Sequence, residues 1–169
     1  MCSFILEAGH ETTTGLIGNG LLAFLEHPEQ LKKLNNDPTL IESAVEECLR
    51  YDSSIQRISR VATQDFQIDG KSIQRGQRLW AMQGAANRDP AQFSKPDRFD
   101  ICRQDNQHVA FGYGTHHCVG APLARLEAQL AFTTLLERLP GLRLATDQVP
   151  WQEGISLRVP LSLPVLFGR

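Results

Sequence analysis

Several features that define common protein classes are absent from this 169-residue sequence. No run of about 18 or more uninterrupted apolar residues is present, so we expect no transmembrane helix or membrane anchor. The N-terminus lacks the basic segment of a secretory signal, so no signal peptide is expected. A formal net charge of -2 provides no basic surface for nucleic acid. The sequence therefore argues against membrane-anchored and nucleic-acid-binding classes.

Cysteine is also scarce, and the four cysteines form no C-x-x-C pair. This usage argues against a disulfide framework and is typical of a reducing compartment, so we expect a cytoplasmic protein. Lysine is outnumbered by arginine, 4 to 13. Arginine is preferred in planar, bidentate contacts with carboxylates. This composition suits recognition of a ligand that carries carboxylates.

One cysteine stands in an unusual setting, the stretch FGYGTHHCVG at residues 111–120, which we call the cysteine loop. Pro122 follows, and proline is favoured in the first turn of a helix, which the apolar spacing predicts over residues 121–139. Cys118 is therefore expected just before a helix N-terminus, where free N–H groups favour an anionic sulfur. The glycines let a flat ligand approach the backbone. A lone thiolate in such a loop suits the axial protein ligand of a haem iron.

Cys118 has two other interpretations besides haem ligation. The first is a buried, inert cysteine in a turn, because free cysteine is among the most buried residue types. The second is a zinc site built from His116, His117 and Cys118. Zinc ligands usually come in spaced pairs with a fourth partner. The adjacent His-His-Cys sequence fits that pattern poorly.

The cysteine loop resembles the haem-binding signature of the cytochrome P450 superfamily, F-x-x-G-x-[R/H]-x-C-x-G, and its fixed positions are filled by Phe111, Gly114, His116, Cys118 and Gly120. The resemblance implies that Cys118 is the metal ligand of haem b, iron protoporphyrin IX. It also implies that Phe111, Gly112 and Gly120 border the cofactor. Arg60 and His116 are expected to bind the haem propionates. For Arg60, a solvated surface arginine is the alternative.

A polar run of low helix propensity, AGHETTT at residues 8–14, interrupts an apolar segment that predicts a helix over residues 3–25. The run resembles the A-G-x-[D/E]-T-T motif of the family's distal helix. By that resemblance Thr12 hydrogen-bonds dioxygen or a water beside it, and Glu11 relays protons. Ala8 and Gly9 would border the cofactor. The alternative is an ordinary helix kinked by Gly9, with threonines bonding back to its carbonyls.

A capping-box pattern, T-x-x-E, begins at Thr39 and opens a helix predicted over residues 39–51. Glu47 and Arg50 are i,i+3 neighbours on this helix and can pair. A surface ion pair of small energetic value is one interpretation. The two residues also match the family's E-x-x-R motif. That resemblance implies a structural triad with Arg98, in a segment similar to P-x-R-F, which supports the cysteine loop.

The other segments predict a small β component. Alternating residues and the turn at Asp69-Gly70 indicate an antiparallel β region over residues 55–85. Residues 96–120 are predicted to form an irregular meander that leads into the cysteine loop. The apolar alternation in the tail predicts strands over residues 142–168, which its prolines restrict to sheet edges. We therefore expect a mainly α fold with a small antiparallel β part, the C-terminal haem-binding portion of a cytochrome P450 domain.

The resemblance implies a haem-thiolate monooxygenase of the soluble bacterial type. Such an enzyme inserts one atom of O2 into a small organic substrate, with electrons from a ferredoxin or flavodoxin and its reductase. Only the C-terminal portion of the family's fold is matched, so we expect a truncated chain that is inactive alone. The alternatives are a non-catalytic haem-binding remnant or truncated reading frame, and a haem sensor that does not oxygenate.

Overall fold

The computed structural model describes residues 2–168, and side chains over residues 5–168. Five α-helices form most of the regular structure in this part of the chain, accompanied by three two-stranded antiparallel sheets. The predicted mainly α class with a small β part is confirmed. Within the described residues, no helix is both long and apolar enough to cross a membrane.

The longest helix, α1 (Cys2–Glu26), is buried only in its second half. Leu16, Leu22 and Phe24 belong to the core, whereas Ile5 and Leu6 are well exposed. The helix ends before Pro28, because a residue that precedes proline disfavours the helical conformation. Proline then opens α2 (Pro28–Asn36), where its missing N–H is not needed.

The core lies where α1 packs against α3 (Ile41–Tyr51) and α5 (Ala121–Arg138). Phe24 meets Phe99 and Phe132 edge to face, with ring centroids 5.5 and 5.3 Å apart. Gly20 allows α1 to pack closely against α5, since a Cβ atom at this position would lie 2.5 Å from the Phe132 ring. Burial of each such aromatic side chain stabilises the fold by roughly 1.5–3 kcal/mol.

The start of α3 differs from the prediction. The helix begins at Ile41, after a 3-10 turn at Pro38–Leu40, and not at residue 39. The Asp37 carboxylate accepts hydrogen bonds from the Thr39 N–H at 3.1 Å and from its hydroxyl at 2.6 Å. The predicted capping box is therefore wrong, because the Thr39 hydroxyl is bound to the residue that caps the turn.

The β region consists of two antiparallel pairs. β1 (Ile58–Val61) pairs with β4 (Arg78–Ala81), and β2 (Phe66–Ile68) pairs with β3 (Lys71–Ile73). The hairpin turn falls at Asp69-Gly70, as predicted. Both turn residues have positive φ angles, 48° and 75°, which is the conformation that this dipeptide favours. The short helix α4 (Gln83–Ala86) follows β4.

The C-terminal tail contains less strand than its alternation predicts. Only β5 (Arg143–Leu144) and β6 (Val165–Leu166) pair there, and Trp151–Pro160 and Ile55–Leu157 are isolated bridges. Proline has no N–H to donate, so the prolines between β5 and β6 interrupt a continuous ladder. The prediction of strands throughout residues 142–168 is thus corrected to one short pair and two bridges.

Candidate cofactor-binding site

A cavity of about 840 Å³ lies between α1, the segment after α3, the cysteine loop and the start of α5. One wall is formed by the polar run of α1, and the predicted residues that line it are Ala8, Gly9, Glu11 and Thr12. The residues predicted on the other side also line this cavity: Arg60, Phe111, Gly112, His116, Cys118 and Gly120. The fold therefore brings both sequence motifs to one space.

The cysteine loop is shaped by its own backbone hydrogen bonds. The Cys118 N–H donates to the Phe111 carbonyl at 2.9 Å, and the Gly112 N–H donates to the Val109 carbonyl at 2.9 Å. Gly112 has a φ of 74°, where a side chain would be strained. Helix α5 begins at Ala121, as Pro122 predicts. The loop thus presents an exposed Cys118 just ahead of a helix N-terminus.

The α1 wall keeps its helical backbone through the threonine run. The Thr12 hydroxyl donates to the Ala8 carbonyl at 2.6 Å, which is the backbone-bonded alternative considered from the sequence. Its oxygen retains lone pairs that can accept a further hydrogen bond. The Ser54 hydroxyl donates to the Thr12 carbonyl at 2.8 Å and fixes this turn of α1. Around Gly9 a Cβ atom would meet nothing within 4 Å, so the helix surface is open to a ligand.

Two basic side chains border the same cavity. Arg60 is exposed on β1, and one of its guanidinium N–H groups donates to the Ser59 carbonyl at 2.8 Å. His116 is exposed at the end of a 3-10 turn, Gly114–His116. Both can donate hydrogen bonds to an acidic group, as propionate binding would require.

Glu47 and Arg50 form a buried pair on α3. Both side chains are 0% exposed, and two N–H···O bonds of 2.8 and 2.9 Å join them. The remaining Arg50 N–H groups donate to the carbonyls of Asn87, Pro96 and Arg98. The surface-pair interpretation is therefore wrong, since this pair organises three separate chain segments.

The third member of the predicted triad needs correction. The Arg98 guanidinium does not bind Glu47; its side chain is 53% exposed and lies 3.7 Å from Asp100. Arg98 contributes only its main-chain carbonyl, to Arg50 and Arg103. The second arginine on Glu47 is Arg103, at 3.1 Å. Motif resemblance pointed to Arg98, and the irregular residues 100–110 carry no periodicity that would have identified Arg103.

Sequence reasoning also missed the role of Glu46. Its carboxylate accepts hydrogen bonds from Arg125 at 2.6 and 3.0 Å and from His108 at 3.1 Å. Burial would raise the pKa of Glu46, but the hydrogen bonds from His108 and Arg125 and the positive charge of Arg125 lower it to about 2. Nothing in the local spacing links residues so distant along the chain; the only signal was the excess of arginine over lysine.

The described residues discriminate among the interpretations of Cys118. Burial and the neighbouring Glu47 charge raise the pKa of the Cys48 thiol, which therefore stays neutral, whereas Cys118 faces the cavity. Within the part of the chain that the structure describes, no three His, Cys, Asp or Glu side chains are grouped closely enough to hold a metal ion. His116, His117 and Cys118 therefore do not form a zinc centre, and exposed Cys118 is not an inert core cysteine.

The chemistry of the cavity fits a haem. It offers one sulfur, two basic side chains at its border, and apolar walls such as Leu16, Leu49 and Leu123. These features suit a flat, largely apolar ligand that carries acidic groups.

Comparison with known proteins gives a consistent result. The chain matches the family model described as cytochrome P450 over residues 2–150. It is 50% identical over 166 residues to the biotin biosynthesis cytochrome P450 of Bacillus subtilis, covering 98% of this chain and 42% of that protein. This chain thus spans less than half the length of that relative.

Solved structures agree. P450BioI in complex with hexadec-9Z-enoic acid ligated acyl carrier protein matches with a TM-score of 0.97 and 50% identity, over 99% of this chain and 44% of that one. Myxobacterial cytochrome P450 CYP267B1 in complex with myristic acid matches with a TM-score of 0.93 and 45% identity, over 98% and 42%. The fold, the cysteine loop and these matches together show that the chain belongs to the cytochrome P450 family.

Proposed function

We propose that this chain supplies the cysteine side and the distal helix of a haem-thiolate monooxygenase. In this proposal Cys118 would ligate haem b, one atom of O2 is inserted into an organic substrate, and the other atom takes up two electrons and two protons and leaves as water. Electrons come from a ferredoxin or flavodoxin and its reductase in the cytoplasm. The observation that carries the proposal is the single cavity, which has Glu11 and Thr12 on one wall and Cys118 on the other.

Each residue has a chemical task in this proposal. Haem, when bound, supplies the redox chemistry on O2, which a thiolate ligand promotes by donating electron density. Cys118 provides that thiolate from a loop whose backbone is already hydrogen-bonded. Arg60 and His116 bind the propionates and orient the cofactor. The positive charge of Arg60 also offsets the negative charge of the cofactor's acidic groups.

Proton delivery belongs to the opposite wall. The Thr12 hydroxyl is held by the Ala8 carbonyl, and its free lone pairs can hold a water inside the cavity. Glu11 is exposed on the preceding position and can exchange protons with solvent. A carboxylate followed by a hydroxyl provides a path for protons from solvent to the cavity.

The substrate we propose carries an aliphatic chain. The cavity is lined by apolar side chains from several segments, including Leu16, Ile55, Ile58 and Leu157. Such walls favour apolar ligands, with few polar groups to orient them. Two similar structures contain fatty acyl ligands: the acyl carrier protein complex of P450BioI and the myristic acid complex of CYP267B1. These complexes support an aliphatic substrate for this chain.

A second candidate is haem binding without oxygenation by this polypeptide alone. Leu123, Leu126 and Leu130 on α5 are 51 to 60% exposed, and Ile5 and Leu6 on α1 are exposed more strongly. Of these residues Leu123 lines the cavity, so water reaches that border, and oxygenation requires that water be excluded. We therefore expect weak haem uptake and no coupled product from residues 1–169 alone.

The test separates ligation from activity. Residues 1–169 are titrated with haem, reduced and exposed to carbon monoxide, and the absorbance band is recorded. We expect the red-shifted band of thiolate ligation in wild type and in the control Cys102→Ser, and its loss in Cys118→Ser. An unchanged band in Cys118→Ser would contradict the proposal.

Activity is tested by joining this chain to the N-terminal portion of the Bacillus subtilis relative, which is 50% identical to it where the two align. A long-chain fatty acid is supplied with a ferredoxin system. Oxygenated product is expected from the chimera and not from residues 1–169. Product from the short chain would favour an enzyme that needs no further segment. A chimera that binds haem through Cys118 and yields no product would favour the second candidate.

A further inference from the structure

The Glu46 carboxylate joins the two ends of the segment that carries Cys118. His108 lies ten residues before Cys118 and Arg125 lies seven residues after it. The His108 Nε2 atom is 3.1 Å from Glu46 Oε2, and Arg125 contacts both carboxylate oxygens at 2.6 and 3.0 Å. One side chain on α3 therefore joins the segment before the cysteine loop to the helix that follows it.

The hydrogen bonds of His108 define its tautomer. Its Nδ1 atom accepts a hydrogen bond from the Ala110 N–H at 3.2 Å, so the proton of the neutral ring lies on Nε2 and points to Glu46. The imidazole is only 3% exposed, which leaves little space for other orientations. His108 is thus fixed on both sides, by the backbone that enters the cysteine loop and by α3.

Arg125 continues the connection to Cys118. Its guanidinium carbon lies 4.7 Å from the centroid of the Phe111 ring, a distance typical of cation–π contact. The Phe111 carbonyl accepts the Cys118 N–H at 2.9 Å. A continuous series of contacts therefore runs from Glu46 through Arg125 and Phe111 to the backbone of Cys118.

The neighbouring glutamate does a different task. Glu47 binds Arg50, Arg103 and the Asp100 N–H, all of which belong to α3 or the meander before the cysteine loop. None of these contacts reaches α5. Among the described side chains of α3, only Glu46 forms hydrogen bonds with both the entry and the exit of the cysteine loop.

We propose that Glu46 is a positioning residue for Cys118, which it orders by tying His108 and Arg125 to the same carboxylate. Without this tie, the loop would keep its internal backbone bonds and the hydrogen bonds of Gln83 and Asn87 to Val109, but it would lose the carboxylate that joins its two flanks to α3. The consequence for iron ligation rests on the proposed function, whereas the effect on the order of the loop does not.

The test is amide hydrogen exchange on the full 169-residue chain, which requires no haem. In Glu46→Gln we expect the amides of residues 109–120 to exchange at least about tenfold faster, while α2 and the second half of α1 keep their wild-type rates. Glu42→Gln is the matched control, because Glu42 is exposed one helical turn earlier on α3. It should leave every rate unchanged.

Two further variants keep the test decisive. Arg125→Lys retains the charge and loses the bidentate geometry, so we expect faster exchange in the same residues. Adding Arg125→Lys to Glu46→Gln should produce no further increase, because both act through one contact. If Glu46→Gln fails to fold, the exchange rates of Arg125→Lys and His108→Ala test the inference instead. Wild-type rates in these variants, or a wild-type loop that exchanges like an unfolded peptide, would overturn the inference.

A spectroscopic arm links the loop to ligation. At equal bound haem, Glu46→Gln should show a smaller fraction of the thiolate-type carbon monoxide band than Glu42→Gln. Equal fractions would contradict positioning of Cys118. If wild type itself gave no thiolate band, the proposed function would fail, and the exchange rates would still decide whether Glu46 orders the loop.

Discussion

Two adjacent carboxylates of α3 bind arginines from distant segments, whereas residues 5–11 of α1, several of which line the cavity, are exposed. Glu47 is fully buried within its network, and Glu46 is 29% exposed. The α1 wall becomes anchored only from Thr12 onward, where Ser54 donates to its carbonyl. Seven residues later the Asn19 amide donates to two carbonyls.

The difference separates residues that stabilise the fold from residues to which the proposed function assigns a chemical role. A buried carboxylate needs its partners, so a substitution there should change folding before it changes chemistry. An exposed turn of α1 contributes little to the core, so its motif residues can change with little effect on stability. Substitutions on the two sides should therefore produce opposite patterns of stability and activity.

The largest effect should come from Glu47→Ala. It leaves the buried guanidinium of Arg50 without its carboxylate, and removal of one partner of a buried pair costs about 3–5 kcal/mol. Urea unfolding of the chain, followed by circular dichroism, should give a lower midpoint or no cooperative transition. An unchanged free energy of unfolding would show that the network is not structural.

A pair of arginine substitutions sharpens the comparison within the meander. Arg103 is mostly buried on Glu47, so Arg103→Ala should lower the free energy of unfolding by about 1–3 kcal/mol. Arg98 is half exposed, and its side chain is 3.7 Å from Asp100, so Arg98→Ala should change it by less than about 0.5 kcal/mol. A larger effect of Arg98→Ala would restore the triad that the motif resemblance implies.

These arginines show where sequence reasoning stops. The cysteine loop, the Asp69-Gly70 turn and the start of α5 follow from local chemistry, because glycine, proline and turn dipeptides act on their own backbone. Which arginine meets Glu47 depends on how an irregular segment folds over α3. No periodicity encodes that contact, so Arg98 and Arg103 were equivalent in their charge and differed only in motif resemblance.

The same limit explains two other corrections. Thr39 and Glu42 satisfy the capping-box pattern, yet Asp37 binds the Thr39 hydroxyl in competition with it. The tail alternates like a strand, but alternation does not supply a pairing partner, and proline removes donors. In the site, Glu46 was missed for a related reason: its partners are 62 and 79 residues away.

Acid pH should remove the contribution of the Glu46 carboxylate to the free energy of unfolding. Its pKa of about 2 in the folded chain is below the ordinary value of 4.5. Its contribution to stability is therefore complete above about pH 5 and is lost as pH falls toward 2. One pKa unit corresponds to about 1.4 kcal/mol, but the carboxylate is 29% exposed and screened, so we expect about 1–2 kcal/mol in total.

The measurement is the free energy of unfolding between pH 7 and pH 3, for wild type and Glu46→Gln. The variant should lack this part of the acid destabilisation, so the two curves should converge at low pH. The burial-raised pKa of Asp52 acts in the opposite direction and is common to both proteins. Parallel curves would mean that Glu46 gains nothing from His108 and Arg125.

The smallest effect on stability should come from Thr12→Ala on the α1 wall. It removes one exposed hydrogen bond to the Ala8 carbonyl and introduces a better helix former, so the free energy of unfolding should change by less than about 0.5 kcal/mol. The chemical effect should be large, because Thr12 lines the cavity and, in the proposed function, its hydroxyl helps to deliver protons there. In the chimera with the N-terminal portion of the relative, electrons should then yield peroxide instead of oxygenated product.

Thr14→Ala is the matched control for this last comparison. The Thr14 hydroxyl makes the same kind of bond, to the His10 carbonyl at 2.8 Å, but Thr14 does not line the cavity. Product and peroxide are measured per electron consumed. We expect Thr14→Ala to match the parent chimera and Thr12→Ala to lose most of its product. An equal yield of product per electron in the two variants would mean that the Thr12 hydroxyl only supports the helix. Protons would then reach the cavity through Glu11 or water.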